Sequence, residues 1–343
     1  VDSSVAAYLL KQQGYDVIGV TMQIWQDEDI SVQQENGGCC GLTAVDDARR
    51  VAERLDIPYY VLNFKQEFKK SVINPFIDSY LVGRTPNPCI LCNRHVKWEA
   101  LLARSMELGA EYIATGHYAR IMQLDNGRYV IRNSVTAKKD QTYALYNLTQ
   151  NQLSHTLMPV GDYEKEEIRK IAQELNLPIA NKPDSQDICF VPDGDYATFI
   201  SKTLDTEFSQ GDFLDLDGNV IGRHSGMIKY TVGQRKGLGM GFGRPMYVIT
   251  KDPALNTVIL GDEPNLFTKR VIVRDVNFIA LEALNDTINC KGKLRYRHAE
   301  QPCKITPLDK TTILAEFNEP QRAPTPGQSA VFYDGDTVIL GGI

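Results

Sequence analysis

The sequence predicts an α/β protein with a parallel-sheet domain over residues 1–199, a small linking domain over 200–264 and a C-terminal β-barrel over 265–343. Three observations carry this. β-Branched apolar runs alternate with helical periodicity through the first part of the chain, the pattern of a parallel sheet covered by helices. After Phe199 the chain turns glycine-rich and strand-like. From about Asn265 short β runs recur with turns between them, as in a small all-β barrel.

In chain order, Val1-Asp2-Ser3-Ser4 opens a helix whose first turn is rich in capping and anion-site residues. Asp16 to Met22 is a nearly continuous apolar run, expected as a strand buried on both faces. Thr43 to Leu55 has helical periodicity, Tyr59 to Leu62 reads as a strand, and Glu67 to Tyr80 is helical again. A helix from about Val96 to Leu108 leads to the short strand Tyr112-Ile113-Ala114, which runs into Thr115-Gly116-His117-Tyr118. In such sheets ligands bind beyond the carboxyl ends of the strands.

Asp125-Asn126-Gly127 is a hairpin turn between Ala119–Met122 and Tyr129–Ile131, and Lys138-Lys139-Asp140-Gln141 is expected to start a helix through Tyr146. Tyr163 to Leu175 is an amphipathic helix whose charges, Lys165 included, read as a solvated face. Asp217-Gly218-Asn219 marks a hairpin in the linking domain, followed by the basic, glycine-rich Lys229 to Gly239. In the barrel, Lys293 to Arg297 reads as a strand, and Arg295, Tyr296, Arg297 and His298 form the densest basic and aromatic cluster.

Between the helical stretches lies Pro86-Asn87-Pro88-Cys89-Ile90-Leu91-Cys92-Asn93. The prolines make it an ordered loop that meets a helix beginning near Arg94, with Cys92 at or beside the helix N-terminus, where dipole and unpaired amides favour thiolate. A structural zinc site would want a second Cys-x-x-Cys, and the sequence has none. Seven scattered cysteines, Cys39, Cys40, Cys89, Cys92, Cys189, Cys290 and Cys303, suit a reducing compartment rather than a disulfide framework.

The chain of 343 residues, 43% hydrophobic, can bury two or three cores, and nothing in it resembles a signal peptide or a membrane-spanning run. A soluble, cytoplasmic monomer is the expectation. The net charge of −6 argues against a globally basic nucleic-acid binder and leaves local basic clusters open.

Val1-Asp2-Ser3-Ser4 looks like the tail of a Ser-Gly-Gly-x-Asp-Ser-Ser pyrophosphatase loop. Together with Pro-Asn-Pro-Cys-x-x-Cys-Asn, Ala-Thr-Gly-His-Tyr and Asp184-Ser185-Gln186-Asp187-Ile188-Cys189-Phe190, it resembles the tRNA-specific 2-thiouridylase family of the ATP-pyrophosphatase superfamily. The first strand and the Ser-Gly-Gly half of the loop are absent from the sequence, so the chain is expected to be N-terminally incomplete. The resemblance implies a Rossmann-like ATP-pyrophosphatase domain and a transferase that adenylates C2 of the anticodon wobble uridine, position 34, and then delivers sulfur from a cysteine persulfide.

By motif match, Cys189 would carry the persulfide and Cys92 would work with it, the pair ending as a disulfide. Asp2, Ser3 and Ser4 would hold phosphates and Mg2+, with Met22 and Gly116 at adenine and ribose. Asn87, Pro88, Cys89, His117, Lys139, Asp140, Gln141, Arg295, Tyr296 and Gln328 would meet tRNA. ATP is the implied cofactor, and a cysteine desulfurase or sulfur-relay protein the implied donor. Met22 reads equally as a core strand residue, and Gly116 as an ordinary tight turn. An iron-sulfur cluster on Cys89, Cys92 and Cys189 ranks below the persulfide route. Two alternatives remain at this stage: another ATP-pyrophosphatase sulfurtransferase, and a non-catalytic RNA-binding protein, which would leave the cysteine pair idle.

Overall fold

In a computed structural model, residues 1–24, 42–180 and 188–343 are described, and they form two compact units. The first comprises Val1–Ile73, Pro88–Gly194 and Asp334–Leu340. Its chain runs α1 (Asp2–Gln12), β1 (Gly19–Gln23), α2 (Leu42–Leu55), β2 (Tyr59–Asn63) and α3 (Lys65–Phe68), which passes into a π-helical turn at Lys69–Ile73. β1 and β2 pair in parallel from Gly19 opposite Tyr59 to Gln23 opposite Asn63.

The burial expected of this first strand is not met: Val20 is 37% exposed and its neighbours Tyr60 and Val61 are 56% and 39% exposed. Among the described residues β1 pairs with β2 alone, and the run that reads as doubly buried in sequence stays partly exposed. Cys39, Cys40 and Asp184 to Asp187 lie outside the described residues.

The core of this unit is a helix-on-helix layer. Val5 and Leu9 of α1 meet Val51 and Leu55 of α2, together with Ile168 and Ala172 from the later helix Lys165–Glu174. α4 (Asn74–Leu81) belongs to the second unit, and the first resumes at α5 (Pro88–Leu91). α5 runs without a break into a π-helical stretch, Cys92–Leu101, and then α6 (Leu102–Glu107). β3 (Ile113–Ala114) leads to the antiparallel hairpin β4 (Ala119–Gln123) and β5 (Tyr129–Asn133), whose turn is the Asp125-Asn126-Gly127 read from sequence.

The helix expected over 138–146 is replaced by two single 3-10 turns, Ala137–Lys139 and Thr142–Ala144. Asp140 breaks it: the carboxylate accepts the Ser134 and Thr142 amides and the Thr142 hydroxyl, and the backbone is held extended at φ −51° and ψ 131°. α7 (Gln150–Ser154) carries a Thr149/Gln152 capping box, β6 (Thr156–Leu157) pairs in parallel with β3, and α8 (Lys165–Glu174) follows.

The second unit comprises Asn74–Asn87, Asp195–Tyr333 and Gly341–Ile343. α9 (Tyr196–Leu204), capped by Asp195, precedes a four-stranded sheet of order β8 (Val220–His224), β7 (Gly211–Leu214), β10 (Thr257–Gly261) and β9 (Tyr247–Asp252). Phe213, Tyr230, Val248, Val258 and Leu260 fill its core. Beyond it, β11 (Phe267–Val273), β15 (Ile313–Arg322), β14 (Gln301–Pro307), β13 (Ile288–Lys293) and β16 (Ala330–Asp334) are antiparallel neighbours in that order, with β12 (Asn277–Phe278) between β11 and β13 in sequence. β13 ends at Lys293, so Arg295 and Tyr296 sit on the following loop rather than in the expected strand.

Residues 334–340 complete the first unit, where Asp336 receives hydrogen bonds from both Arg120 and Arg132 at 2.9 Å. Burial opposes the charge on Asp336, but the Arg132 hydrogen bond and the two guanidinium charges outweigh it and hold the carboxyl below its ordinary range. A lowered carboxyl pKa contributes stability that is present above the unfolded value and lost as pH falls through the folded one. Asp336→Asn is expected to destabilise by about 1 kcal/mol at pH 7, the pair being a third exposed. In urea melts the wild-type advantage should vanish as pH drops below about 3.9; an advantage undiminished there would rule out the charge as its source.

Candidate active site and tRNA-facing residues

Asp2, Ser3 and Ser4 occupy the first turn of α1, where Ser4 and Val5 donate to the Val1 carbonyl. Gly116, just past β3, lies directly against them: a Cβ there would stand 2.4 Å from the Ser3 nitrogen and 2.6 Å from the Asp2 carbonyl carbon. Only glycine permits that approach. The Asp2 carboxylate is bound by Lys165 Nζ at 2.7 and 2.9 Å and by the Tyr118 hydroxyl at 2.9 Å.

Lys165 is 5% exposed, which overturns its placement on a solvated face. The signal was present in its spacing, since Lys165, Ile168 and Ala172 share one helical face and are all buried. Its ammonium also lies 5.5 Å from the centre of the Tyr118 ring. Met22 lies on β1 opposite Leu62 and is half-buried.

The cysteine helix begins six residues earlier than the sequence suggests. Pro88 is its first residue, because a fixed φ near −65° and a missing N–H suit the first helical position. Cys89, exposed, therefore takes the first-turn place expected for Cys92, and Cys92 is half-buried one turn further on, where π-helical geometry starts. Two buried anchors hold that stretch. Asn93 donates to the Ala144 carbonyl at 2.9 Å and accepts from Lys97, and Trp98 donates to the Thr156 hydroxyl at 2.6 Å.

Cys189 is half-buried, and its neighbour Phe190 packs edge-on against Phe68 of α3 at 5.6 Å. Among the described residues no three His, Cys, Asp or Glu side chains are placed to hold a metal ion, so Cys89, Cys92 and Cys189 do not form a cluster-binding set in this arrangement. His117 meets the Thr115 hydroxyl through Nδ1 at 2.7 Å and stands 5.5 Å from Trp98. Burial, and next the Lys97 charge, hold its pKa well below 6.5, so the ring is neutral at physiological pH.

The remaining polar candidates divide by what already holds them. Gln141 accepts the Tyr118 amide at 2.9 Å, and Asp140 makes the staple described above, while Lys139 closes an exposed 3-10 turn. In the second unit Arg295 Nη2 donates to the carbonyls of Ala323 at 2.8 Å and Val232 at 3.2 Å and to the Thr325 hydroxyl. It ties the loop before Gly233 to residues 323–325, just past the end of β15. Tyr296 beside it is 38% exposed, with the Lys293 ammonium over its ring.

Gln328 donates to the Thr85 carbonyl at 2.8 Å, and Thr85 donates to Pro326 at 2.9 Å. Gly327 between them has φ +92° and passes so close that a Cβ would lie 2.9 Å from that of Arg84. This grip fixes the segment that leads into Asn87 and Pro88. Arg235 and Lys236, on the glycine-rich loop, are exposed by contrast.

Comparison with known proteins matches all three parts of the chain. The model described as the tRNA methyl transferase HUP domain covers residues 1–193, the tRNA methyl transferase PRC-barrel domain 197–262, and the aminomethyltransferase beta-barrel domain 268–343. The tRNA-specific 2-thiouridylase MnmA of Lachnoclostridium phytofermentans is 60% identical over 342 residues, covering 100% of this chain and 96% of that protein. Those of Clostridioides difficile and Acetivibrio thermocellus are 55% and 56% identical, each over 344 residues and 100% of this chain, and over 95% and 96% of their own length.

A solved structure, the U34-tRNA thiolase NcsA from Methanococcus maripaludis with its [4Fe-4S] cluster, aligns with a TM-score of 0.34 and 16% identity over 59% of this chain and 62% of that one. A likeness that weak carries no argument here. Identity above half along the whole chain is decisive: the chain belongs to the tRNA-specific 2-thiouridylase family.

Proposed function

We propose that the protein is a tRNA-uridine 2-sulfurtransferase acting on the wobble uridine, with catalysis in residues 1–199, a linking domain over 200–264 and a tRNA-binding barrel over 265–343. The observation that carries the nucleotide half of this reading is the close packing of Gly116 on the first turn of α1, which sets the end of β3 beside Asp2 and Ser3 with Ser3 still exposed. The exposed Ser3 and the neighbouring Ser4 would meet the phosphates of ATP and the Mg2+ that accompanies them. ATP would supply the leaving group that makes the uridine C2 oxygen displaceable.

The chain's own residues do the rest. Lys165 and Tyr118 hold Asp2, and thereby the first turn, in place. Cys189 would carry the transferable sulfur as a persulfide whose outer sulfur bonds to C2 as AMP leaves. Cys92, as thiolate, then attacks Cys189 Sγ, and the persulfide S–S bond breaks with its electron pair staying on the sulfur bonded to C2. The Cys92–Cys189 disulfide that remains is reopened by an external thiol. His117, neutral and half-buried beside Trp98, offers a hydrogen bond to a base without a charge. A cysteine desulfurase or sulfur-relay protein as donor, and a monomer working in the cytoplasm, complete the reading; among the described residues no helix is long and apolar enough to cross a membrane.

The test is full-length protein with ATP, a persulfide donor and unmodified tRNA, read as 2-thiouridine in digested nucleosides. Cys189→Ser should abolish the product while tRNA affinity stays within about twofold, since a hydroxyl cannot carry a persulfide. Thiolation above a few per cent of wild type would remove Cys189 from this role.

Lys165→Met keeps the stem and deletes the charge, leaving the Asp2 carboxylate without its buried partner. It should destabilise by about 3 kcal/mol and raise the KM for ATP more than that for tRNA. Equal changes in both constants would place Lys165 outside the nucleotide site.

tRNA affinity should fall with salt despite the net charge of −6. Neutralising Arg235 and Lys236 together should reduce the slope of log affinity against log salt by about two units if each meets a phosphate. Arg295→Ala, whose guanidinium is engaged by the protein, should instead lower thermal stability. A slope change from Arg295 and none from the loop pair would reverse this assignment.

A further inference from the structure

Cys290 and Cys303 face each other across the antiparallel pair β13–β14, in direct register, with their sulfurs 3.6 Å apart. Cys303 is 3% exposed and Cys290 is half-buried. On its other side Cys303 is in register with Phe317 of β15, itself buried, so its thiol is confined between that ring and Cys290. Directly opposed residues in an antiparallel ladder have Cα atoms about 4.5–5.5 Å apart, inside the window a disulfide requires. Reaching the bond length of ~2.05 Å takes about 1.5 Å of approach, within the compass of two χ1 adjustments.

The chain between the two cysteines, Lys291 to Pro302, carries Arg295, Tyr296 and Arg297. A bond between the sulfurs would close that loop covalently at its base.

We propose that Cys290 and Cys303 are an oxidative modification site, a dithiol that hydroperoxides convert to a cross-strand disulfide. The half-buried Cys290, as thiolate, attacks the distal peroxide oxygen. The O–O bond breaks, Cys290 becomes a sulfenic acid, and the leaving alkoxide or hydroxide takes up the thiol proton. Cys303 then attacks the Cys290 sulfur, the S–O bond breaks, and water leaves with the second thiol proton. Two thiols and one hydroperoxide thus give one disulfide, one alcohol or water, and one water. An external thiol reverses it through a mixed disulfide at Cys290, the more exposed sulfur. The site is independent of the sulfur-transfer reading, because neither cysteine belongs to the set assigned to it.

The experiment uses the full chain, reduced with a phosphine, desalted, treated with equimolar hydrogen peroxide, alkylated in denaturant and digested without reduction. The expected result is loss of alkylation at both positions and a linked Cys290–Cys303 peptide that a dithiol splits back to two alkylatable thiols. Cys290→Ser should leave Cys303 fully alkylatable after the same treatment and leave tRNA thiolation under reducing conditions unchanged. In the wild-type protein, phenylarsine oxide, which bridges paired thiols, should block alkylation of both cysteines together. Full alkylation of both after peroxide, sulfenic or sulfinic acid at Cys290 with Cys303 still alkylatable, or a bridge from either to a different cysteine would each overturn the proposal. So would one-at-a-time blocking by the arsenical.

Discussion

Lys165, itself buried, grips both oxygens of the half-buried Asp2 carboxylate, and the candidate nucleotide site is organised around that contact. The ammonium arrives from the first turn of α8, the carboxylate from the first turn of α1, and the two helices share a core of Val5, Leu9, Ile168 and Ala172. A buried ion pair of this kind adds less net stability than apolar packing would, but it fixes register strongly, because any slip strands a charge in a medium that cannot solvate it. Once the first turn is placed, Gly116 can approach its backbone only because it has no side chain. The result is a helix N-terminus fixed from two sides, by Lys165 at the Asp2 carboxylate and by Gly116 at the backbone.

The cysteine helix is built on a different constraint. Pro88 starts it and Asn93 and Trp98 anchor it through hydrogen bonds made out of contact with solvent, so Cys92 inherits a fixed position from neighbours that do not react. Phe190 does the same for Cys189 by packing on Phe68. Each thiol thus sits one residue from a buried side chain, an arrangement that keeps the sulfur reachable while the backbone beneath it is held. The segment before Pro88 is held by the second unit's own contacts, where Gln328 and Pro326 pair with Thr85 around a glycine that tolerates no Cβ.

In the second unit the basic residues serve two ends that sequence cannot separate. Arg295 spends one guanidinium nitrogen on three protein acceptors and orders the start of the glycine-rich loop, whereas Arg235 and Lys236 on that loop stay in solvent. The first kind of cation shapes a surface and the second supplies its charge. Asp140 and Gln141 likewise turn their polar atoms onto neighbouring backbone, and Asp140 shapes the turn between Ser134 and Thr142.

Local chemistry was enough to determine the fold class, the β4–β5 hairpin, the order of strands and helices, and the family itself. Those follow from periodicity, turn residues and short motifs, each of which is a property of a few consecutive residues. What only the tertiary structure decided involved partners far apart in the chain. Lys165 reads as one more charge on an amphipathic helix until α1 brings Asp2 to it, and Arg295 reads as one member of a basic cluster until the carbonyls of Val232 and Ala323 meet it. The helix start at Pro88 and the break at Asp140 were missed for a related reason: both turn on which backbone groups find a partner, and a proline or an aspartate can satisfy a helix or end one depending on what folds against it. The facing of Cys290 and Cys303 is of the same kind, since strand register is set by the pairing of whole hydrophobic faces and not by the residues on either side of a cysteine.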